Sequence, residues 1–394
     1  MFRRFLPGSK VRAELTQFRN VSKPSTKMKE SPGERMQAWQ IHSYGDTKEL
    51  KLSSVRMPVI SRPTDVLVQV EAASVNPIDV AMLHGYGAKV LNLMRTARRM
   101  KTDIEFPLTM GRDFSGVVVG KGHGIHDDSL KLGDEVWGVV PVERQGCHST
   151  HVIISNDLVR LRPKKLSYIE AASILYAGLT AWSALWITGG LCYKTSLPTI
   201  LNKRILILGG SGGVGTLAIQ LAKAWHMQVV TTCSSDAVNV LENLGADIVV
   251  DYKAEDSDEL IKSEGPYEII LDCANQGPDL VKQKGYDCGT YITLNSPLLR
   301  NIDELGYVGG ALKNLTDLLK YNIPLKDNKS FVKWGFFAPS SAGMRTLQEL
   351  VEDGKITPVV KKVYPFEDLP RAYERTLQGH LRGKLVIDMK NKSE

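Results

Sequence analysis

Hydrophobic and polar residues are arranged in two different ways along the chain, and the first arrangement occupies the N-terminal half. Between residues 37 and 154, short runs alternate apolar and polar positions, and proline or glycine interrupts them. Such runs are typical of antiparallel strands with one buried face. They predict a mostly antiparallel, barrel-like β domain with strands at residues 38–41, 66–70, 115–119, 135–140 and 151–154.

From residue 169 onward, apolar positions recur at helical spacing or form continuous runs. Residues 169–187 predict two helical pieces, and continuous apolar runs then alternate with helical or polar segments. That alternation predicts an α/β fold with a doubly wound, Rossmann-type parallel sheet. Its strands are expected at residues 204–209, 228–233, 248–251, 268–272 and 290–294. A last run at 383–388 is expected to return to the first domain, which makes that domain discontinuous.

A glycine-rich turn, Gly-Ser-Gly-Gly-Val-Gly at residues 210–215, lies between the run at 204–209 and a helical pattern at 216–225. Strand, glycine turn, helix and strand in this order form the first half of a dinucleotide-binding unit. Side chains here would keep the backbone away from a pyrophosphate, and the following helix offers free N–H groups and its positive dipole end. The turn therefore predicts a dinucleotide cofactor rather than a flexible connection.

The end of the second strand of this unit bears on which dinucleotide is bound. An NAD site usually carries an acid there, which holds the ribose hydroxyls. This chain has Cys-Ser-Ser-Asp at residues 233–236, with no acid at the strand end itself, and Lys253 follows later. These residues favour the 2′-phosphate of NADPH, and Asp236 is predicted to cap the next helix. The alternative is that Ser234 and Ser235 are ordinary turn residues.

Composition fits a soluble enzyme of two domains. The 394 residues exceed what one hydrophobic core usually supports, and 43% of them are hydrophobic and 24% charged. No apolar run is expected to be long enough for a membrane span. The formal net charge of +7 lies in residues 1–29, which hold eight Lys or Arg and one acid, so the rest of the chain is neutral. Since basic charge is not spread over a folded face, we expect no nucleic-acid surface.

The basic leader is rich in Arg, Lys, Ser and Thr, and its apolar and basic positions alternate as in an amphipathic helix. These features are typical of a mitochondrial transit peptide, and a disordered basic tail is the alternative. The five cysteines are scattered and lack CxxC spacing, so no disulfide framework is expected. They fit a reducing compartment, either the cytosol or the mitochondrial matrix.

Several motifs resemble the zinc-free quinone oxidoreductases of the medium-chain dehydrogenase/reductase superfamily. They are residues 72–79, 107–116, 132–137, the glycine turn and 382–384, and the resemblance covers residues 37 to 388. It implies a Rossmann domain beside a GroES-like β domain. The implied division is a leader at 1–35, a substrate domain at 36–185 and 338–394, and an NADPH-binding domain at 186–337.

Shorter segments are similar to the mitochondrial reticulon-interacting branch of that superfamily. They are residues 85–88, 111–113, 181–184 and 379–384. The resemblance implies an NADPH-dependent oxidoreductase that transfers hydride to a quinone or enone and supports coenzyme Q metabolism. It also implies a mitochondrial location, in the matrix or at the outer membrane, with a reticulon-type membrane protein and a homodimer as candidate partners.

The same resemblance implies a set of cofactor contacts. They are Ser211, Gly213 and Val214 at the pyrophosphate, Ser234 and Tyr252 at the 2′-phosphate end, Leu294 and Phe337 toward the nicotinamide, and His380, Leu381 and Arg382 closing the site. The chain departs from the family twice. Residues 273–277 keep one glycine where the family usually has two, and Asp236 stands where many members have a basic residue.

Zinc-dependent relatives have Cys and His at the positions of Asn76 and Arg112, so we expect no metal. A metal cluster is also not expected at Cys147 and His148, which we interpret as structural residues on opposite faces of a strand. Without a Lewis acid, a conjugated carbonyl is a better hydride acceptor than a simple ketone, and water can supply the proton.

Two residues are candidates for contact with the acceptor. The Asn76 amide is expected to hydrogen-bond a carbonyl oxygen, and Tyr86 to donate or stack, with Asp79 orienting them. The alternatives are a turn residue at Asn76, a loop aromatic at Tyr86 and a helix cap at Asp79. Asp113 is expected to hold a loop or to pair with Arg112.

Two other functions stay open at this point. An enoyl-thioester reductase would need a basic channel, for which the sequence offers Arg95, Arg98, Arg99 and Lys101, or these form a solvated helix face. A scaffold protein that binds NADPH without turnover is the non-enzymatic alternative.

Overall fold

The computed structural model describes residues 34–97, 105–194, 203–323 and 330–390. Almost all of the predicted leader therefore lies outside the described residues, as do Arg98, Arg99 and Lys101. The strands, in chain order, are β1 (Arg35–Ile41), β2 (Lys51–Arg56), β3 (Asp65–Val75), β4 (Leu108–Thr109), β5 (Asp113–Lys121), β6 (Glu135–Val139), β7 (His151–Ser155), β8 (Val159–Leu161), β9 (Arg204–Leu208), β10 (Gln228–Cys233), β11 (Ile248–Asp251), β12 (Tyr267–Asp272), β13 (Cys288–Thr293), β14 (Phe331–Trp334), β15 (Val360–Pro365) and β16 (Lys384–Asp388).

Helices connect and cover these strands. They are α1 (Pro77–Leu83), α2 (Ala88–Ala97), α3 (Tyr168–Ala172), α4 (Leu175–Trp182), α5 (Leu191–Lys194), α6 (Gly213–Ala224), α7 (Val238–Asn243), α8 (Ser257–Ser263), α9 (Pro278–Lys284), α10 (Leu298–Asn322, bent at Gly306), α11 (Ser341–Glu352) and α12 (Leu369–Leu377). A π-helix, Ser183–Thr188, continues α4.

Six parallel strands form the sheet predicted for nucleotide binding, in the order β11-β10-β9-β12-β13-β14. Alternate residues of β9 enter different hydrophobic clusters: Ile205 and Ile207 pack with helix α6, and Leu206 and Leu208 pack on the opposite face. A parallel sheet that is covered on both faces requires such continuous apolar strands. The apolar run at 204–209 is therefore explained by burial of both faces of β9.

The other large sheet has seven strands and is antiparallel except for β15 and β16, which pair in parallel. Its order is β15-β16-β3-β5-β6-β8, with β7 paired to β3, and β2-β1-β4 form a small separate sheet. Strand β16 pairs antiparallel with β3, with Ile387 opposite Ala73. The predicted return of the last strand to the first domain is confirmed. The proposed domain boundaries at 185/186 and 337/338 stay predictions.

One expectation about apolar segments was wrong. Residues Tyr168–Thr188 form a helical stretch of 21 residues that is long and apolar enough to cross a membrane by length and composition. However, 78% of its apolar window is buried inside the protein. Helix α4 packs against both α6 and α11. Because it is covered from more than one side, α4 is apolar over most of its surface. We therefore interpret the stretch as a core helix.

Candidate active site

The glycines of the turn have two different surroundings: some are tightly packed, and one faces open space. A Cβ on Gly215 would lie 2.5 Å from the carbonyl oxygen of Gly209, and one on Gly210 would clash with Thr231 Oγ1. These two glycines therefore allow close packing of α6 against the sheet. A Cβ on Gly212 would meet nothing nearer than the Gly209 oxygen at 3.5 Å. Gly212 thus leaves an open space at the start of α6.

The backbone of this turn fits a pyrophosphate group. The first helical hydrogen bond of α6 runs from the Thr216 N–H to the Gly212 carbonyl oxygen, at 3.0 Å. The N–H groups of Gly213, Val214 and Gly215 precede it and have no carbonyl within the helix to pair with. These free N–H groups and the helix dipole favour an anion beside the open face of Gly212, as predicted for a pyrophosphate.

Two cavities adjoin at this turn and share Gly212, Cys273, His380 and Leu381. We call the larger, of about 600 Å³, the acceptor cavity and the smaller, of about 400 Å³, the adenosine cavity, after the ligand parts predicted for their residues. The acceptor cavity is lined by the candidate residues Asn76, Tyr86, Gly213, Val214, Leu294, His380 and Leu381. The adenosine cavity is lined by Ser211, Ser234, Tyr252, His380, Leu381 and Arg382. Their combined size is within the range of small-molecule sites.

Phe337 is the one cofactor candidate that lines neither cavity directly. Its ring stacks on that of Tyr176, with centroids 4.3 Å apart and planes at 26°. Tyr176 lines the acceptor cavity, so Phe337 supports its wall from behind. Burial raises the pKa of both Tyr176 and Tyr86 above the ordinary value, so both phenols stay protonated.

The closing segment, residues 379–383, crosses the glycine turn in an unusual backbone conformation. Gly379 and Gly383 have positive φ angles, and so do the non-glycine residues His380 (49°) and Arg382 (51°). Gly383 forms a parallel bridge with Gly212. Such left-handed non-glycine residues cost energy and cluster at functional sites. Here the conformation places His380 and Leu381 between the two cavities.

At the adenosine cavity, Arg382 contacts the residues predicted for the 2′-phosphate. Its Nη2 donates to Ser234 Oγ at 3.0 Å, and its guanidinium forms an ion pair with Asp236. Asp236 Oδ1 also accepts from Ser234 Oγ at 3.0 Å. The prediction that Asp236 caps the next helix is wrong, because α7 follows Ala237 and the Asp236 carboxylate faces Arg382. The basic group of this site therefore comes from the closing segment.

At the acceptor cavity, Asn76 is held by buried partners. Its Nδ2 donates to Asp113 Oδ1 at 2.9 Å and to Ser74 Oγ at 3.2 Å, so both amide hydrogens are used within the protein. Its Oδ1 accepts a hydrogen bond from Lys384 Nζ. In this structure Asn76 therefore does not present an N–H to an acceptor oxygen, contrary to its predicted role.

Asp79 is a helix cap and an ion-pair partner. Its carboxylate accepts from the N–H groups of Asn76 and Gly111, each at 2.9 Å. Arg112 Nε lies 3.4 Å from Asp79 Oδ1, and both side chains are fully buried. Arg112 thus pairs with Asp79, and the alternative pairing with Asp113 is wrong. Asp113 instead accepts from Ser74, Asn76 and the Tyr176 N–H, which holds the start of α4.

Comparison with known proteins adds the family. Residues 62–160 match the alcohol dehydrogenase GroES-like domain family, and 244–387 match the zinc-binding dehydrogenase family. The mitochondrial NAD(P)H oxidoreductase RTN4IP1 of Drosophila melanogaster is 47% identical over 367 residues, which cover 91% of this chain and 88% of the relative. The mitochondrial reticulon-4-interacting protein 1 of Caenorhabditis elegans is 37% identical, covering 89% and 94%.

This chain belongs to the RTN4IP1 family of mitochondrial NAD(P)H oxidoreductases. A solved structure of the quinone oxidoreductase from Coxiella burnetii is also similar, with 27% identity, a TM-score of 0.70, and coverage of 91% of this chain and all of that one. The predicted superfamily, the Rossmann and GroES-like fold, the enzymatic nature and the mitochondrial location are thereby confirmed. The nicotinamide cofactor is also confirmed, without distinction between NADPH and NADH.

The zinc named in one of the matched families does not fit this site. The guanidinium of Arg112 has no lone pair for a metal, and Asn76 Oδ1 faces an ammonium group. In the part of the chain that the structure describes, no three His, Cys, Asp or Glu side chains are placed to hold an ion. Cys147 and His148 are both buried in the loop before β7. His148 contacts Ser74 and Tyr373, and Cys147 donates to the Asp113 carbonyl oxygen.

In this RTN4IP1-family chain, Lys384 is a further site candidate that the sequence patterns do not single out. Lys384 is part of the closing Arg-Gly-Lys motif, and the signal in the sequence is a lysine at the start of an apolar strand, a position where lysine is rarely buried. In the structure Lys384 is 6% exposed and lines the acceptor cavity. Burial lowers the pKa of its ammonium group, while Asp113 and Asp79 oppose this shift.

The turn at residues 273–277, which has a single glycine, contains an asparagine in a left-handed conformation. Asn275 has a φ of 58°, and its Oδ1 accepts from Asn295 Nδ2 at 2.6 Å. Asparagine tolerates the left-handed region better than other residues with a side chain. Asn275 therefore combines a left-handed backbone with an amide side chain at the rim of the acceptor cavity.

Proposed function

We propose that this chain uses NADPH to reduce a quinone or a similarly conjugated carbonyl compound, and thereby supports ubiquinone metabolism. The observation that carries the proposal is the junction of the two cavities at Gly212 and His380. A dinucleotide that spans the glycine turn would have its two ends in different cavities. A flat ring in the acceptor cavity could then pack against the aromatic side chains of Tyr86 and Tyr176, which line its walls.

The preference for NADPH rests on the adenosine cavity. Arg382 places a guanidinium next to Ser234, where a 2′-phosphate is expected, and Tyr252 stands beside them. An arginine can bind a phosphate through two parallel hydrogen bonds. Asp236 opposes this, because its carboxylate would repel a phosphate and already pairs with Arg382. We infer a preference for NADPH that is moderated by Asp236.

A conjugated acceptor suits the residues of this site. When bound, the nicotinamide supplies a hydride, and the protein positions the acceptor and excludes water. A quinone spreads the incoming charge over its conjugated system and so needs less polarisation than a ketone. The described residues at the acceptor cavity include phenols, amides and one buried ammonium group, and no three His, Cys, Asp or Glu side chains among the described residues are placed to hold a metal ion.

The enoyl-thioester alternative has lost part of its support. Arg95 Nε donates to the Glu143 carbonyl oxygen at 3.0 Å and its Nη1 bonds Asn92, so this arginine is engaged away from the acceptor cavity. A reticulon-type membrane protein is a proposed partner, because the C. elegans relative is named a reticulon-4-interacting protein. Its test is binding of the full chain to a purified reticulon domain in a pull-down.

The test of the function is oxidation of NADPH and of NADH by the full chain, followed by the loss of reduced-nicotinamide absorbance. The acceptors are a short-chain ubiquinone, an enoyl-thioester and a simple ketone. We expect turnover with the quinone, faster with NADPH than with NADH, and little with the ketone. Turnover with the enoyl-thioester alone would replace the proposed acceptor. Tight NADPH binding without turnover of any acceptor would contradict the proposal.

A further inference from the structure

We propose that the ammonium group of Lys384 binds the oxygen of the acceptor and donates the proton that completes its reduction. The inference rests on the proposed reduction of a conjugated carbonyl and assigns its proton donor. Lys384 would then be a catalytic residue, with Asn76 and Asp113 as positioning residues. From the sequence, we expect only that water can supply this proton.

The path of the Lys384 side chain places its amine at the wall of the acceptor cavity, next to the glycine turn. A Cβ built on Gly213 would lie 2.9 Å from Lys384 Cδ and 3.5 Å from Cγ, so the lysine stem crosses the start of α6. Its Nζ continues to Asn76 Oδ1 at the wall of the acceptor cavity. A side chain at Gly213 would push the lysine away. Glycine at position 213 therefore leaves room for the Lys384 side chain as well as for a pyrophosphate.

The ammonium group has hydrogen-bonding capacity left over. It has three N–H donors, and within the described part of the chain Asn76 Oδ1 is the acceptor that it reaches. The other two N–H groups of Lys384 are therefore available to a ligand in the acceptor cavity. A buried donor that faces a cavity without a partner is costly, and a ligand oxygen would remove that cost.

Buried carboxylates near the site favour the protonated form of Lys384 before the proton is transferred to the acceptor. Asp113 accepts from the Asn76 amide, which in turn accepts from Lys384, so a carboxylate, an amide and an ammonium lie in one chain of hydrogen bonds. Asp79 is neutralised by Arg112. The third group facing Lys384 is Cys147, and burial raises its pKa so that it stays a neutral thiol.

The proton balance of the step is simple. The acceptor receives two electrons with the hydride, and its oxygen becomes the site of negative charge. One N–H bond of Lys384 breaks and one O–H bond forms, which leaves a neutral amine. The amine regains a proton from water before the next turnover. Because burial lowers the pKa of Lys384, this transfer is easier than from an exposed lysine.

The experiment compares wild-type full chain with Lys384→Met, Lys384→Arg and, as a matched control, Lys361→Met on the exposed face of β15. The first readout is kcat for a short-chain ubiquinone across pH. We expect Lys384→Met to lower kcat roughly 100-fold or more, the usual range for loss of a general acid. The wild-type rate should fall at alkaline pH, and this limb should be absent in Lys384→Met. Arginine should not restore the rate, because it does not release a proton in this range.

The second readout does not depend on turnover. Binding of 4-nitrophenol to the NADP⁺ complex is followed by the absorbance of its anion. Wild type and Lys384→Arg should bind the anion and lower its apparent pKa, and Lys384→Met should not. Lys361→Met should behave as wild type in both readouts.

Three results would overturn the inference. They are an unchanged kcat, an unchanged alkaline limb in Lys384→Met, or equal phenolate binding by all variants. A weaker NADPH affinity as the sole change would show that Lys384 holds the cofactor instead. If wild type binds NADPH but reduces no quinone, the proposed function fails. The phenolate measurement then decides separately whether Lys384 is an oxyanion site.

Discussion

Arg382 Nη2 donates a 3.0 Å hydrogen bond to Ser234 Oγ, although 148 residues separate the two in the chain. Ser234 follows strand β10 of the parallel sheet, and Arg382 precedes β16, which pairs with β3 of the other large sheet. The adenosine cavity is thus built from both parts of the protein. An interaction with a 2′-phosphate there would tie cofactor choice to the position of the closing segment.

Replacing Arg382 by methionine should weaken NADPH binding far more than NADH binding. A hydrogen bond to a charged group is worth about 1.5–3 kcal/mol, or roughly a 10- to 100-fold change in Kd. The measurement is a titration of nicotinamide fluorescence with each dinucleotide, and Arg371→Met, at an exposed side chain of α12, serves as control. An equal loss for both dinucleotides would mean that Arg382 acts by holding the backbone rather than by binding the 2′-phosphate.

Removing the acid beside Arg382 should have the opposite effect. In Asp236→Asn the guanidinium loses its competing ion pair, and a 2′-phosphate meets no carboxylate. We expect NADPH to bind several-fold more tightly, with NADH little changed, because an exposed pair of this kind contributes up to about 1 kcal/mol. The same fluorescence titration tests this, with Asp256→Asn as an exposed control. Weaker NADPH binding would show that Asp236 is needed to orient Arg382.

The parts of the site that were predictable from sequence are local in the chain. Strand β9, the glycine turn and α6 are adjacent, and their hydrophobic periods and glycine spacing specify the structure directly. The return of β16 also followed from an isolated apolar run. The contacts of Arg382 with Asp236 and of Lys384 with Asn76 join distant segments of the chain. The hydrophobic pattern of the sequence predicts local elements and cannot predict such contacts. The left-handed conformation of Asn275 is likewise not predictable from the sequence, because asparagine adopts that conformation only in some turns.

Two glycines of the turn should respond differently to alanine. Gly212 has φ −73° and ψ 168°, which alanine adopts freely, and its Cβ would point into open space. Gly212→Ala should therefore fold normally and lose roughly 10-fold or more in affinity for both dinucleotides, because the methyl group occupies the pyrophosphate position.

Gly215→Ala is the contrasting variant. Its Cβ would lie 2.5 Å from the Gly209 carbonyl oxygen, so we expect a loss of about 1–3 kcal/mol in unfolding free energy from overpacking. Urea unfolding and dinucleotide titration of both variants check the pair. Normal dinucleotide binding by Gly212→Ala would remove the turn from the cofactor site.

His148 is a buried histidine whose hydrogen bonds define a neutral ring. Its Nε2 lies 3.1 Å from the Ser74 carbonyl oxygen and must donate to it, so Nδ1 accepts from the Tyr373 hydroxyl at 3.0 Å. Burial lowers the pKa of this ring below the ordinary value of about 6.5. Protonation of Nδ1 would abolish the bond from Tyr373 and place a charge beside Arg112.

Stability should therefore decrease as pH falls, and His148 should account for about one proton of that dependence. Below about pH 6.5 the unfolded chain binds a proton at His148 and the folded chain does not, so unfolding free energy falls by up to about 1.4 kcal/mol per pH unit. The loss continues until the pH reaches the lowered pKa of the folded state. His148→Gln should be less stable at neutral pH but should show a shallower acid dependence. Urea unfolding of wild type and variant between neutral pH and about pH 5 measures both slopes. Equal slopes would mean that His148 takes up its proton as readily in the folded protein as in the unfolded chain, which the contacts with Ser74 and Tyr373 do not allow.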